Sequence, residues 1–354
     1  MKLKKIREKL SEASLDAVIL TNTVSQRYIS GFNFTDGYVV VGLSEAVILA
    51  DFRYIEAAKA SSAGRFGVVL LSRENRNALA DTLSSMGARK VGFEDRYVTC
   101  AALENLKKKL DGFELLPVGS AVDDLREFKT ADEIECITKA QRIAEEALRS
   151  VLGVISDRMT EIELAAELEY RMRRAGSEEP AFQTIAISGA KTSLPHGEPS
   201  GKKLERGFIT MDFGATVNGY RSDMTRTVVL GRADDEMKKL YGTVLAAQRA
   251  GLEAAAEGAD CAAVDKTARD IIDGAGYLGC FGHSLGHGVG MYIHEAPSLS
   301  PACPGKYLKK GHVVTVEPGI YVEGKYGCRI EDMVAITENG AVDLTEIEKE
   351  LIEL

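Results

Sequence analysis

The chain has 354 residues, 45% of them hydrophobic and 27% charged, an ordinary globular composition at a length that favours two cores over one. A net charge of −9 argues against a surface built for nucleic acid or anionic lipid. The six cysteines, at 100, 136, 261, 280, 303 and 328, include no Cys-x-x-Cys pair, so free thiols in a reducing cytoplasm are expected instead of a disulfide framework or a zinc knuckle.

The first ten residues carry charge throughout and lack an apolar stretch, so no signal peptide is expected there. No apolar run reaches the length of a membrane span. Asp16–Leu20, Ala46–Ala50 and Lys90–Phe93 read as strands, and Arg53–Ala63 reads as a helix. That alternation predicts a small α/β domain over residues 1–125. The polar segment Val122–Thr130 then leads into a helix, with Thr130 and Glu133 spaced as a capping box. Thr160 and Glu163 repeat the spacing and open a second helix that Gly176 would close. Helices are also expected over residues 235–257 and 262–275, between hairpin-rich segments. Residues 126–354 therefore read as an α+β domain of catalytic type, and all five histidines fall within it. No short-period repeat is visible.

Chemistry concentrates in that second part. In Met211–Leu230 the dipeptide Asn218-Gly219 predicts a type I′ hairpin turn, because both central residues must take positive φ. That turn pairs Thr225 with Asp212 and Asp223 with Gly214. Alternation then puts Asp212, Gly214, Asp223 and Thr225 on one face, with the two aspartates as diagonal neighbours. Further along, Phe281–Gly290 contains His283 and His287 four apart, but its glycines oppose a helix and suit backbone that approaches another group closely. An apolar strand over Val313–Val316 runs into Glu317, and Gly327–Ile336 embeds Glu331 in another. Arg329 is two residues from Glu331, so the two are expected to share a face and to pair.

Each of these residues alone has a bland reading as a solvated strand carboxylate or a packed histidine. His312, in the turn Lys309–His312, keeps that reading. The set does not, because carboxylates gathered on apolar strands would repel by roughly 4 kcal/mol per close pair at an effective dielectric near 20. Divalent cations would cancel that repulsion. Four carboxylates and one imidazole make a hard, oxygen-rich site that suits Mn²⁺, Fe²⁺ or Co²⁺ better than the sulfur-rich sites of structural zinc do.

The series Asp212, Asp223, His287, Glu317 and Glu331 resembles the five-ligand dinuclear site of the pita-bread metallopeptidases. That family includes methionine aminopeptidase, aminopeptidase P, prolidase and the metal-free creatinase. The strings around Pro195-His196-Gly197, Asp212-Phe213-Gly214, Ser222-Asp223-Met224, His287-Gly288, His294-Glu295-Ala296-Pro297, Glu317-Pro318-Gly319 and Arg329-Ile330-Glu331-Asp332 look most like its Xaa-Pro peptidase branch. Ile48–Tyr54 is similar to the creatinase-type N-terminal domain of the same branch. The resemblance implies a C-terminal pita-bread fold preceded by that α/β domain, and two divalent ions per subunit, Mn²⁺ first, with Co²⁺, Zn²⁺ or Fe²⁺ as alternatives.

On that resemblance Asp212 binds one ion, Asp223 and Glu331 bridge both, and His287 with Glu317 completes the second. A water between the ions is the implied nucleophile, and Glu317 the implied proton shuttle. His196 and His294 match the branch's non-ligand histidines that handle the scissile carbonyl, while His283 and Arg329 match substrate-pocket positions. The implied substrates are proline-containing peptides, and the implied assembly is a cytoplasmic homodimer. A dipeptidase needs a positive group for the substrate's C-terminal carboxylate. In several prolidase-like sequences a basic residue follows the His-Glu-x-Pro motif, whereas this chain has Ser298. That favours an Xaa-Pro aminopeptidase, with an Xaa-Pro dipeptidase (prolidase) as the alternative. A metal-free creatinase-like hydrolase or an inactive binding protein fits less well, since all five ligand positions are filled.

Overall fold

A computed structural model describes residues 2–62, 64–338 and 340–354. Among them no helix is long and apolar enough to cross a membrane. The chain divides into two units, Met1–Arg126 and Glu127–Leu354.

In the first unit, runs of β-branched and aliphatic residues form six strands: β1 (Ala17–Leu20), β2 (Gly37–Gly42), β3 (Ala46–Ala50), β4 (Gly67–Leu70), β5 (Lys90–Phe93) and β6 (Glu114–Pro117). They make one mixed sheet in the order β4-β3-β2-β1-β5-β6, around a core that includes Ile19, Val40, Leu49, Leu83 and Val91. Asp16, expected within the first strand, instead accepts from Arg89 N and Lys90 N, both at 2.8 Å, and so stands just outside it. The helix expected from Arg53 begins at Ile55 and runs to Ser62. Its start is delayed because the Asp51 carboxylate accepts from Arg53 N and holds a turn there. Ala63, the expected last residue of that helix, lies outside the described residues.

The second unit contains the expected helices. One spans Ala131–Leu152, and the Glu133 carboxylate accepts from Thr130 N at 2.9 Å at its start. The next spans Glu161–Arg174, with both arms of the Thr160–Glu163 capping box made and Gly176 at φ +106° beyond its end. Helices Asp235–Ala254 and Cys261–Ile272 follow, each opened by an aspartate that accepts from first-turn amides. A long helix, a shorter one and then strands thus occur twice along the chain.

The strands of this unit are β7 (Ile185–Ser188), β8 (Gly207–Phe213), β9 (Thr216–Val217), β10 (Tyr220–Arg221), β11 (Met224–Leu230), β12 (Gly286–Gly288), β13 (Glu295–Leu299), β14 (Val313–Val316), β15 (Gly319–Val322), β16 (Tyr326–Arg329), β17 (Asp332–Thr337) and β18 (Gly340–Asp343). One sheet is ordered β11-β8-β7 and another β13-β12-β14-β17-β18, with β9–β10 and β15–β16 as short ribbons. The first helix pair packs on the three-stranded sheet through Leu148, Leu164, Met211 and Phe213. The second pair packs on the five-stranded sheet through Tyr241, Val264, Val314 and Val316.

The hairpin register is the predicted one. Thr225 pairs with Asp212, Ser222 N donates to Ala215 O, and Tyr220 pairs with Val217. Asn218 and Gly219 take φ of 51° and 80° at the tip. Replacing Gly219 with Val should cost roughly 1–2 kcal/mol of left-handed backbone strain. A melting curve would then fall by about 2–6 °C, and an unchanged midpoint would refute the turn assignment.

Candidate metal centre

All nine residues singled out in the sequence line one cavity of about 630 Å³ in the second unit. Asp212 is the penultimate residue of β8, and Asp223 directly precedes β11. His287 is the middle residue of β12, where its neighbours must come close to other backbone. A Cβ on Gly286 would stand 1.9 Å from Thr315 O, and one on Gly288 2.4 Å from Ala296 O. The glycines around His287 therefore let the two neighbouring strands, β13 and β14, close on it.

Glu317 follows β14 directly, and Glu331 sits in the break between β16 and β17. The expected continuous strand over 327–336 is thus two strands belonging to two sheets, which change over at Ile330-Glu331. Arg329 does not pair with Glu331 as expected. Its Nη2 donates to Asp212 Oδ2 at 2.6 Å, while Nε donates to Thr225 Oγ1 at 2.9 Å. Thr225 in turn donates to Glu331 Oε2 at 2.6 Å. Side chains two apart share a face only while one strand continues, and the change of sheet ends that rule here.

Donor atoms of Asp223, His287 and Glu331 lie within 4.8 Å of one another. His287 Nδ1 is 3.1 Å from the Gly288 carbonyl, which can only accept, so this nitrogen carries the hydrogen. The bare Nε2 faces Asp223 Oδ2 at 3.6 Å and Glu317 Oε1 at 3.3 Å. Thr315 Oγ1 accepts from His287 N and donates to Glu317 Oε1, which ties these two candidate ligands together.

The electrostatics are those of a site that suits a positive counter-charge. Burial, then Glu331, Asp212 and Glu317, push the Asp223 carboxyl well above its usual range. Burial, then Glu317 and Asp212, do the same to Glu331, and Glu317 is pushed up to about 8, by burial first. Burial, then the nearby His294, lowers His287 to about 4 and keeps its ring neutral. Among the described residues, Asp212 Oδ1 and Asp223 Oδ1 are buried without a hydrogen-bond partner. Unpaired buried oxygens, mutually repelling carboxylates and a neutral imidazole with a free lone pair are what divalent cations satisfy. The residues fit the metal.

The other predicted residues surround this cluster. The His294 ring meets that of His287 edge-on at 4.3 Å. His294 is lowered from its usual pKa, by burial first and then by His196. His283 has both nitrogens engaged within the protein: Nδ1 donates to Ser284 O, and Nε2 accepts from Tyr321 OH at 2.9 Å. Tyr321 OH accepts from Arg329 Nη1 at 2.8 Å. Asp212, Arg329, Tyr321 and His283 therefore form one connected chain. The sequence reading missed the parts played by Tyr321 and Thr315, although Thr225 was already on the predicted hairpin face. His312 stays apart from the cavity, stacked on Phe128 at 4.8 Å with Nε2 3.2 Å from Glu127 Oε1.

Comparison with known proteins agrees with this geometry. Residues 135–338 match the model of Metallopeptidase family M24, and residues 2–128 match the Creatinase/Prolidase N-terminal domain. The chain is 39% identical to an Xaa-Pro dipeptidase of Pyrococcus furiosus, over 99% of both sequences. It superposes with a TM-score of 0.95 on an Xaa-Pro dipeptidase from Bacillus anthracis, at 38% identity and covering 100% of this chain and 99% of that one. An X-Pro aminopeptidase from Thermotoga maritima is also similar, with a TM-score of 0.92, 34% identity and coverage of 98% and 100%. With its pita-bread fold and its cluster of carboxylates and histidine, the chain belongs to metallopeptidase family M24, in the form that carries a creatinase/prolidase N-terminal domain.

Proposed function

We propose that this metallopeptidase is an Xaa-Pro dipeptidase, cleaving the bond between an N-terminal residue and a C-terminal proline. The observation that carries this reading is full-length likeness, at 38–39% identity, to proteins named Xaa-Pro dipeptidase. The sequence-based preference for an aminopeptidase rests on Ser298, but its hydroxyl is directed at Gly286 O, 3.3 Å away, within the β12–β13 pair. Its lack of charge therefore says little about how a substrate carboxylate is held.

In this reading residues 1–125 form the creatinase-like domain and residues 126–354 the catalytic one. Asp212 would hold one divalent ion, His287 and Glu317 the other, and Asp223 and Glu331 would serve both. The oxygen-rich donor set puts Mn²⁺ first among the candidates. Bound there, the ions would polarise the scissile carbonyl and lower the pKa of a water. Glu317, kept in place by Thr315, takes a proton and returns it to the leaving proline nitrogen. His196 and His294 face the carbonyl as hydrogen-bonding groups. His283, its nitrogens engaged, offers its ring as a wall beside apolar Ile185, Pro195 and Ile293, a surface suited to a proline ring. Arg329, held by Asp212, Thr225, Tyr321 and the Pro195 carbonyl, forms part of the cavity wall. Work in the cytoplasm as a homodimer completes the proposal, and sedimentation would test the assembly.

Turnover of an Xaa-Pro dipeptide and of the matching Xaa-Pro-Xaa tripeptide, both with added Mn²⁺, tests the reading. We expect kcat/KM to favour the dipeptide by roughly tenfold or more, a difference of about 1.4 kcal/mol. Equal turnover of the tripeptide would replace the dipeptidase with an aminopeptidase, the reading that the Thermotoga maritima likeness favours.

A further inference from the structure

The backbone at Glu331 lies where the chain leaves one sheet and joins another, so the ladder that holds an ordinary strand residue is interrupted there. Its place is taken by a buried guanidinium. Arg226, in β11 between Thr225 and Thr227, is only 3% exposed. Its Nη1 donates to Glu331 O at 2.7 Å and to Thr225 O at 3.0 Å. Glu331 N also donates to Thr225 O, at 3.2 Å. One side chain therefore fixes the carbonyls of two residues whose own side chains meet in the site, since Thr225 donates to the Glu331 carboxylate.

A buried guanidinium needs a counter-charge and a filled set of acceptors. Asp332, fully buried beside Glu331, supplies the charge: its Oδ1 accepts from Arg226 Nη2 at 2.7 Å. Its Oδ2 accepts from Gln248 Nε2 at 2.7 Å, and Lys349 pairs with the same oxygen. The C-terminal segment supplies the remaining acceptors, Ile347 O for Arg226 Nη2 at 3.0 Å and Glu348 O for Arg226 Nε at 3.1 Å. That segment is itself secured where the Glu145 carboxylate accepts from Glu346 N.

We infer that Arg226 and Asp332 form a clamp that sets the Glu331 backbone, making them positioning residues for the metal centre and making the C-terminal segment part of its support. The inference rests on the proposed role of Glu331 as a metal ligand. Neither residue reaches the cavity. Their effect passes through the peptide groups of Thr225 and Glu331, in the way that outer partners fix the geometry of ligands elsewhere.

Two variants separate positioning from bulk stability. Arg226→Lys keeps the charge beside Asp332 but lacks the planar fork that reaches two carbonyls. Asp332→Asn keeps the shape and removes the charge that orients the guanidinium. Each is purified metal-free, its melting midpoint is recorded, and Mn²⁺ is titrated by calorimetry alongside wild type. We expect the Mn²⁺ Kd to rise roughly 10- to 100-fold in either variant. The metal-free midpoint should move by only a few degrees in Arg226→Lys and fall further in Asp332→Asn, which leaves the guanidinium without its counter-charge, and in both kcat at saturating Mn²⁺ should fall more than KM rises. Wild-type Mn²⁺ affinity in a folded variant would overturn the clamp while leaving the metal-site reading standing. Absence of Mn²⁺ binding in wild type would overturn both.

Discussion

Asp223→Asn should remove peptidase activity by roughly 10³-fold or more, about 4 kcal/mol of transition-state stabilisation, while making the metal-free protein more stable. The two effects have opposite signs because one carboxylate serves two states. Asp223 is 4% exposed and faces Glu331, Asp212 and Glu317 as well as the bare Nε2 of His287. Without cations its charge is desolvated and repelled, and a neutral amide of the same shape relieves about 1–3 kcal/mol of that cost. With cations the same charge would, in the proposed centre, be a shared ligand that an amide replaces poorly. The measurement is a pair of melting curves with and without Mn²⁺, together with an activity assay. Wild type should gain roughly 3 kcal/mol at a hundredfold excess of Mn²⁺ over its Kd, and Asp223→Asn should gain little. A variant as active as wild type, or one less stable when metal-free, would remove Asp223 from the proposed centre.

Stripping the metal should also leave a protein that loses stability steadily as pH rises from 6.5 to 8. Glu317, whose carboxyl is pushed up to about 8 from an ordinary 4.5, binds a proton in the folded state that the unfolded chain has released. Its contribution is complete below the unfolded value and is lost as pH rises through the folded one. Asp223 and Glu331 shift the same way. His283 and His287, both lowered to about 4 from 6.5, contribute with the opposite sign. They make stability rise between pH 4 and 6.5 and are flat beyond. Above pH 6.5 the carboxylates therefore act without that opposition.

From 6.5 to 8 Glu317 alone accounts for roughly 2 kcal/mol, a fall in melting temperature of about 4–8 °C for a unit of this size. The carboxylates lowered by their partners, Glu161 and Glu127, lose their contribution only on acidification. Added Mn²⁺ should abolish the alkaline slope, because cations supply the charge that protons otherwise provide. A metal-free melting temperature that stays level or rises from pH 6.5 to 8 would contradict this electrostatic account.

Local signals were reliable where short-range chemistry decides. The Asn218-Gly219 turn set the register of the hairpin through the φ values of two residues, and that register placed Asp212 opposite Thr225. Capping residues at Thr130 and Thr160 marked two helix starts for the same local reason. In the first unit β2, β4 and β6 escaped notice. β4 and β6 have exposed ends and half-buried centres, so neither alternates cleanly in hydrophobicity. The partner of Arg329 was misread because it depends on where β16 ends, and a single apolar run from Gly327 to Ile336 carries no mark of a change of sheet.

By itself, the sequence determined the candidate ligand residue types, their order, the hairpin face and the family, since each depends on residue identity and on spacing within a turn or strand. Only the tertiary structure decided which carboxylate Arg329 holds and that Thr225 links it to Glu331. It also decided that both nitrogens of His283 are engaged and that Arg226 grips the Glu331 backbone beside a buried Asp332. These are contacts between segments far apart in the chain, Thr225 with Glu331 and Asp212 with Arg329. A hydrogen bond forms within a few tenths of an ångström or not at all, and no pattern of neighbours along the chain encodes a distance of that kind.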